Sequence, residues 1–183
     1  NVAVGHDALV VDTEGIGNTA LGFRAMKDTG HSALNYHTKY SVAIGYESGL
    51  DLRGDHWEIE SAVGQNVLVG YRAGFGRTNY GNRGKGNVYM GTESGKNTGD
   101  GSWNTFIGPY AGKNINSGGY NTSLGRDSLT SVTTGSNNVA IGAYAGDNIT
   151  TGGKNVIIGY NIDAAAVDSE KTLVIGSDDV KWF

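Results

Sequence analysis

The sequence predicts an all-β fold, a parallel β-solenoid, on three observations. A pentapeptide motif recurs ten times, ending at Gly5, Gly22, Gly45, Gly70, Gly91, Gly108, Gly125, Gly142, Gly159 and Gly176. The last six of these glycines are each 17 residues apart. Residues with turn-forming chemistry separate the copies, as in Asn116-Ser117-Gly118-Gly119. A fixed motif at a fixed period is typical of an architecture in which each repeat forms one turn of a coil.

The motif itself predicts a short strand that ends at a tight corner. Position 1 is Asn in eight copies, position 2 is Val or Thr in nine, position 4 is aliphatic or Met in all ten, and position 5 is always Gly. β-Branched residues favour strands, and alternate side chains share one face of a strand. The glycine indicates a positive φ or a close backbone approach. We expect the Asn to tolerate left-handed geometry, to bond to its own turn and to form a ladder along the coil.

A second short apolar segment follows each glycine and predicts a second strand in each turn. Its third residue is small in most copies, as in Ala25, Ala73, Ala111 and Ala145. Each unit is therefore predicted to contain a strand, a corner, a short strand and a loop. Neighbouring turns would pair as parallel strands about 4.8 Å apart, so ten turns would form a rod of roughly 50 Å.

Composition agrees with a single repeat domain over residues 1–183. The chain has 31 Gly, one Pro and no Cys, and its net charge is −4. The absence of Cys excludes a disulfide scaffold, and the negative charge argues against nucleic acid as the main partner. No apolar run reaches 18 residues, so we expect no membrane insertion. Since the chain begins inside a repeat, at Asn1, we expect it to be a fragment of a longer fibrous protein.

Three insertions give the best functional signal. They lie in the irregular turns, residues 1–86, around 29–40, 50–65 and 76–86, before the regular turns of 87–176 and a tail of 177–183. All three fall at the same phase of the turn, and loops at one phase stack on one face, which is often the binding face. We therefore expect a receptor-binding surface that contains Tyr36, His37, Tyr40, Arg53, His56, Trp57, Tyr80 and Arg83.

An apolar column at position 3 predicts that several copies associate. If positions 2 and 4 point into the coil, position 3 points outward, yet it is polar only at Ser123. Exposed apolar stripes mark interfaces, and closed cyclic symmetry would bury such a stripe. We expect a homotrimer interface at Leu68, Tyr89, Phe106, Ile157 and Val174. The alternatives are that position 3 faces inward and the other two positions face outward, or that the coil is wide enough to bury both sets.

The motif copies Ser41-Val42-Ala43-Ile44-Gly45 and Asn138-Val139-Ala140-Ile141-Gly142 resemble the head repeats of trimeric autotransporter adhesins of the YadA type. The continuation Gly142-Ala143-Tyr144-Ala145-Gly146 is also similar to repeats of bacteriophage tail fibres. The resemblance covers nearly all of the chain, although the 17-residue period is longer than the usual head unit. It implies a left-handed β-roll, a homotrimer, a location on a virion or at the bacterial or extracellular surface, and attachment. It carries over no catalytic residue.

Catalytic and metal chemistry finds weak support. The column two residues after the motif glycine contains Asp7, Glu47, Glu93, Asp127 and Asp178, and glycoside hydrolysis requires two placed carboxylates. A solvated face of alternating charge explains this column better, and Asp55 and Glu58 are only slightly better candidates. The histidines lack tight ligand spacing. We expect no enzyme activity, no metal and no cofactor.

These observations predict a fibrous attachment protein, a tail fibre or adhesin head, that binds a host surface glycan or protein through its stacked loops. The alternatives are a purely structural shaft segment and, with less support, a tailspike that cleaves polysaccharide.

Overall fold

A computed structural model describes residues 1–10, 15–28, 38–52, 63–76, 84–177 and 180–182, and these residues contain strands and turns but no helix. The strands are β1 (Val2–Val4), β2 (Thr19–Leu21), β3 (Thr38–Lys39), β4 (Val42–Ile44), β5 (Val63–Gly64), β6 (Val67–Val69), β7 (Val88–Met90), β8 (Thr105–Ile107), β9 (Thr122–Leu124), β10 (Val139–Ile141), β11 (Val156–Tyr160), β12 (Leu173–Ser177) and β13 (Val180–Trp182).

The ten copies of the motif form one continuous parallel sheet, which confirms the predicted β-solenoid. Its order is β1-β2-β4-β6-β7-β8-β9-β10-β11-β12-β13, and each motif strand pairs in register with the next copy, as Val139 does with Val156. The last strand, β13, runs antiparallel to β12. A second sheet contains only β3 and β5.

Position 3 of the motif faces into the coil, so the expected orientation of the strand is wrong. Ala20, Ala43, Leu68, Tyr89 and Phe106 are at most 1% exposed, whereas positions 2 and 4 are half-buried or exposed. The column continues inside the coil through Ser123, Ala140, Ile157 and Val174. Position 3 therefore contributes one line of buried side chains that runs through successive turns.

The Asn side chains at position 1 form the expected ladder, but each one bonds to the backbone of the next turn and not to its own turn. The Asn121 side chain accepts a hydrogen bond from the backbone N–H of Asn138 at 2.9 Å and donates to the Gly135 carbonyl oxygen at 2.9 Å. Ser41 replaces Asn in one turn, and its hydroxyl accepts from the N–H of Asn66 at 3.2 Å. Buried polar groups must be hydrogen-bonded, and this column supplies partners for the backbone of each following turn.

The left-handed residue at the strand entry is the one before position 1. Tyr40, Trp103 and Tyr120 have φ of 53°, 61° and 59°. The motif glycine closes the strand as expected. Gly108 has a φ of 132°, and an added Cβ there would lie 2.6 Å from the carbonyl oxygen of Gly125 in the next turn. No residue with a Cβ fits such a stack without moving the backbone.

In the first eight turns the second segment is not a strand, contrary to expectation. It is a compact turn in which the residue two after the glycine adopts left-handed φ, as in Glu47 at 51° and Tyr144 at 60°. Its backbone still bonds to its neighbour, for example from the N–H of Glu47 to the carbonyl of Phe23 at 2.8 Å. The small residues of this segment, such as Ala73 and Ala111, are fully buried.

Large and small residues compensate each other inside the coil. Position 3 faces the residue four after the glycine, and a Cβ added at Gly112 would lie 2.3 to 2.6 Å from ring atoms of Phe106. Where position 3 is small, as at Ser123, the facing residue is large, and Leu129 is fully buried. In two turns both positions are small, Ala43 with Gly49 and Ala140 with Gly146, and large side chains from neighbouring turns, such as Leu68 and Ile157, lie closest to the glycine there. The interior is thus filled partly within a turn and partly between turns, as close packing requires.

Candidate functional site

The insertions leave and rejoin the coil at stacked points. The last residues of the first two insertions form β3 and β5, which pair in parallel, with Thr38 opposite Val63. Lys39 also bridges back to Ile16 in the preceding turn. The stem of the third insertion joins the same stack, because the N–H of Gly86 donates to the carbonyl oxygen of Gly64 at 3.0 Å. The ends of the three insertions, which we call their stems, are thus stacked on one another, as expected.

Tyr40 is the one expected receptor-binding residue within the described ranges. Its side chain is 61% exposed, and its ring lies against Gly17 of the preceding turn, where an added Cβ would be 2.7 Å from a ring carbon. The other expected residues lie outside the described residues: Tyr36, His37, Arg53, His56, Trp57, Tyr80 and Arg83.

The residues expected at the trimer interface are inside the coil of a single chain. Leu68, Tyr89, Phe106 and Ile157 are 0% exposed, and Val174 is 3% exposed. Tyr89 and Phe106 stack on each other there, with ring centroids 5.2 Å apart. The expected trimer interface at these residues is therefore wrong, because a side chain that is buried inside one chain cannot contact a second chain.

The apolar stripe on the outside is formed by positions 2 and 4 instead. We call these twenty positions the outer stripe: Val2, Val4, Thr19, Leu21, Val42, Ile44, Val67, Val69, Val88, Met90, Thr105, Ile107, Thr122, Leu124, Val139, Ile141, Val156, Ile158, Leu173 and Ile175. None of them is charged, and all are half-buried or exposed. The outer stripe follows the parallel sheet over all ten motif strands.

A ladder of opposite charges lies beyond the glycine corner. Glu47, which is 5% exposed, accepts from Arg72 Nε at 2.8 Å and from Arg24 Nη1 at 3.4 Å. Lys27 bonds to Asp7 at 3.1 Å, and this bond is the main cause that lowers the pKa of the Asp7 carboxyl. Ion pairs thus engage Asp7 and Glu47, and Asp127 in the same column pairs with Arg126 at 3.0 Å. The other carboxylates that the sequence offered as catalytic candidates, Asp55, Glu58 and Asp178, lie outside the described residues.

Glu93 continues the charge ladder between two lysines. Burial acts to raise the pKa of its carboxyl, but hydrogen bonds from Lys96 at 2.6 Å and Lys113 at 3.1 Å reverse the effect, so the pKa is lowered. A general acid in glycoside hydrolysis requires a raised pKa. Neither Asp7 nor Glu93 has that property.

An exposed aromatic ladder borders the outer stripe in the first four turns. His6, Phe23, Tyr46 and Tyr71 each follow a motif glycine, and their rings stack in succession with centroids 5.1 to 5.5 Å apart. The guanidinium of Arg24 lies 5.0 Å from the centroid of the Phe23 ring. This column was not predicted from the sequence, although the aromatic residue after four successive motif glycines was a readable signal.

Asp147 and Asp163 form a separate acidic pair near the end of the coil. Burial raises the pKa of Asp147 to about 6, with further contributions from the nearby carboxylates of Asp163 and Asp127. Asn148 beside it has a buried side-chain oxygen without a hydrogen-bond partner. Ionisation of Asp147 beside Asp163 therefore destabilises the folded chain, and the effect can be measured as a change in the free energy of unfolding.

The described residues contain no group of three or more His, Cys, Asp or Glu arranged to hold a metal ion. Nor does that part of the chain contain a helix long and apolar enough to cross a membrane. No protein-family model matches the sequence, and comparison with curated proteins and with solved structures finds no significant similarity.

Proposed function

We propose that this chain is part of a fibrous attachment protein, a tail fibre or adhesin head, that binds a host cell-surface glycan or protein. In this proposal the protein is a homotrimer located on a virion or at an extracellular or bacterial surface. The observation that carries it is the stacking of the insertion stems. β3 pairs with β5, and Gly86 bonds to Gly64, so consecutive insertions rejoin the coil one turn apart.

Stacked stems suit attachment because they repeat loops at short intervals on a rigid support. A site on ordered strands is held more accurately than a site on an isolated loop. Several loops, multiplied by three copies, would bind a surface multivalently, so a weak single contact would still hold a particle. The exposed Tyr40 at the stem adds an aromatic contact of the kind enriched in binding surfaces.

The test is binding of fluorescently labelled protein to host cells. We expect the Trp57→Ala/Tyr80→Ala double variant to lose surface binding at least tenfold while its solution mass and circular dichroism stay unchanged. Tyr40→Ala should weaken binding as well. Tyr120→Ala is the matched control, because Tyr120 is 63% exposed and occupies the equivalent position in a turn without an insertion.

Two other results would point to the alternative functions. If replacement of all three insertions by regular 17-residue turns leaves cell binding intact, the loops are not the binding surface and the chain is a structural shaft segment. Release of new reducing ends from host polysaccharide would identify a cleaving tailspike.

A further inference from the structure

The residue before position 1 of the motif has the same backbone conformation in every turn but different side chains. All nine of these residues adopt a left-handed φ, between 53° and 71°. We call them the entry column: Gly17, Tyr40, Gln65, Gly86, Trp103, Tyr120, Asn137, Lys154 and Lys171. Glycine and asparagine adopt this conformation most readily, and Gly17, Gly86 and Asn137 are of these types. The fold therefore does not require an aromatic residue at any of these positions.

Three members of the entry column are aromatic all the same, and their rings are exposed. Tyr40, Trp103 and Tyr120 are 61%, 43% and 63% exposed. Bulky residues are uncommon in the left-handed region, and backbone strain of this kind is concentrated at functional sites. A ring that is open to water adds little to the core of its own chain. These residues are therefore candidates for contact with a ligand.

Tyr40 and Trp103 mark the two ends of the stretch where the insertions rejoin the coil. The last residues of the three insertions are Tyr40, Gln65 and Gly86. The ring of Trp103 covers Gly86, since a Cβ added to that glycine would collide with three carbons of the ring. Tyr120 lies one turn further along the coil, away from the stems. We call the part of the entry column from Tyr40 to Trp103 the aromatic strip.

Hydrogen bonds to the preceding turns fix the aromatic strip. The backbone N–H of Trp103 donates to a carbonyl oxygen of the preceding turn at 2.9 Å, and that of Tyr40 does the same at 2.8 Å. The Tyr40 ring lies against Gly17, as the Trp103 ring lies against Gly86. These two glycines are three turns apart in the entry column, so at about 4.8 Å a turn the two rings are about 14 Å apart. The strip thus holds two aromatic rings at a fixed spacing along the coil.

We propose that a linear glycan lies along the aromatic strip, with sugar rings on Trp103 and Tyr40. Aromatic rings offer a flat apolar surface. A sugar ring has a face of C–H groups that packs on such a surface and hydroxyl groups at its edge. Gln65 lies between the two aromatic rings and is exposed, and its amide supplies hydrogen-bond donors and an acceptor for those hydroxyl groups. Only a chain of several sugars is long enough to reach both rings.

A protein receptor fits the aromatic strip less well than a glycan does. The core of a protein interface is apolar, and each partner of a standard interface contributes roughly 800 Å². On the strip the polar Gln65 separates the two rings, so the exposed apolar surface forms two small patches. A ligand that alternates apolar faces with hydroxyl groups matches this pattern. The inference rests on the proposed attachment function and names a glycan as the receptor.

The first test asks which class of molecule on the host cell is bound. Cells are treated either with periodate, which cleaves sugars that carry adjacent hydroxyl groups, or with protease, before the labelled protein is added. We expect periodate to lower binding at least tenfold and protease to leave binding unchanged. Loss of binding after protease with full binding after periodate would identify a protein receptor. That result would overturn the glycan inference and leave the attachment function intact.

The second test measures affinity for oligosaccharides released by mild acid from the same cells, using isothermal titration calorimetry. Trp103→Asn introduces a residue type that the entry column already contains at Asn137, so the coil should stay folded. We expect this variant to bind at least tenfold more weakly, whereas Trp103→Phe, which keeps a ring, should lose much less. Tyr120→Asn is the matched control and should leave the affinity unchanged. Solution mass and circular dichroism should stay the same in all three variants.

The outcomes separate this inference from the proposed function. If Trp103→Asn binds the oligosaccharides as tightly as the unaltered chain, or if Tyr120→Asn loses as much affinity, the aromatic strip is not the binding site. The attachment function survives either result if Trp57→Ala/Tyr80→Ala still abolishes binding to cells. An unaltered chain that binds no host cells would refute the attachment function, and the inference with it.

Discussion

Exchanging the large and small core residues of one turn tests how the coil is packed. Phe106 faces Gly112, whereas Ser123 faces the fully buried Leu129 one turn later. The double variant Phe106→Ser/Gly112→Leu would give the first turn the division of volume found in the second. We expect each single change to be severe and the pair to be much milder.

The magnitudes follow from the geometry. Phe106→Ser removes a buried ring and should cost about 3–5 kcal/mol in the free energy of unfolding, as core Phe→Ala changes do. Gly112→Leu places a Cβ within 2.6 Å of three Phe106 ring atoms and a side chain on a left-handed residue, with φ of 57°. Overpacking of about 1–3 kcal/mol and left-handed strain of about 1–2 kcal/mol then add.

The assay is equilibrium urea unfolding followed by far-ultraviolet circular dichroism, at one protein concentration so that assembly contributes equally. In the double variant the introduced leucine side chain should occupy the space vacated by the ring, so the loss should fall short of the summed losses by at least about 2 kcal/mol. Additivity within about 0.5 kcal/mol would refute the compensation between the two positions. The reciprocal exchange, Ser123→Phe/Leu129→Gly, should show coupling of the same sign.

Three further changes test the polar parts of the structure. Asn121→Ala leaves buried backbone groups without partners in the next turn and should lower the free energy of unfolding by about 2–4 kcal/mol, against under about 1 kcal/mol for the exposed Asn114→Ala, both measured by urea unfolding. Glu47→Gln should cost about 1–2 kcal/mol after allowance for the half-exposed arginines, and the salt dependence of unfolding should decrease; an unchanged salt dependence would contradict the ladder. Because the pKa of Asp147 is raised to about 6, the folded protein binds more protons than the unfolded chain between about pH 4 and 6, so stability is lost as pH rises through this window. Asp147→Asn should therefore raise the free energy of unfolding at pH 7.5 by about 1 kcal/mol after screening, with little change at about pH 4, whereas Glu170→Gln on the exposed surface should change neither value.

Much of the fold could be predicted because every copy of the motif imposes the same requirements on the backbone. Ten glycines in one column indicated a corner that no other residue tolerates, and the structure places Gly108 against the carbonyl of Gly125. The Asn column indicated a ladder, which is present from Asn18 to Thr172. These features depend on backbone geometry, which is the same in every turn.

Alternation alone could not predict which face of the motif strand points into the coil. A period of two separates the two faces of a strand, but it does not say which one is inside when both are apolar. Two signals could have decided it. The polar Asn of position 1 shares its face with position 3, and it needed buried partners. The size of position 3 also changes from turn to turn, from Ala43 to Phe106, while the outer positions are Val, Thr, Leu, Ile or Met in every copy.

For the binding surface, the sequence could predict only where in each turn the insertions occur, and not where their side chains lie. The stems are stacked as expected, but Trp57, His56 and Tyr80 lie outside the described residues. The aromatic ladder of Phe23, Tyr46 and Tyr71 was missed because each residue looked isolated in its own repeat. A ladder becomes visible only when residues about 17 to 25 positions apart are read as neighbours.

The Asn ladder also has a consequence for how the chain finds its correct pairing. Eight of the ten turns have the same Asn amide at position 1, and all ten have the same glycine corner, so these contacts do little to distinguish adjacent turns from turns that are one repeat out of place. Discrimination must come from features that occur once, such as the Tyr89–Phe106 ring stack and the Ser123–Leu129 turn. The core residues that differ between turns thus specify which turns pair. A chain with ten identical cores would be stable in many wrong alignments.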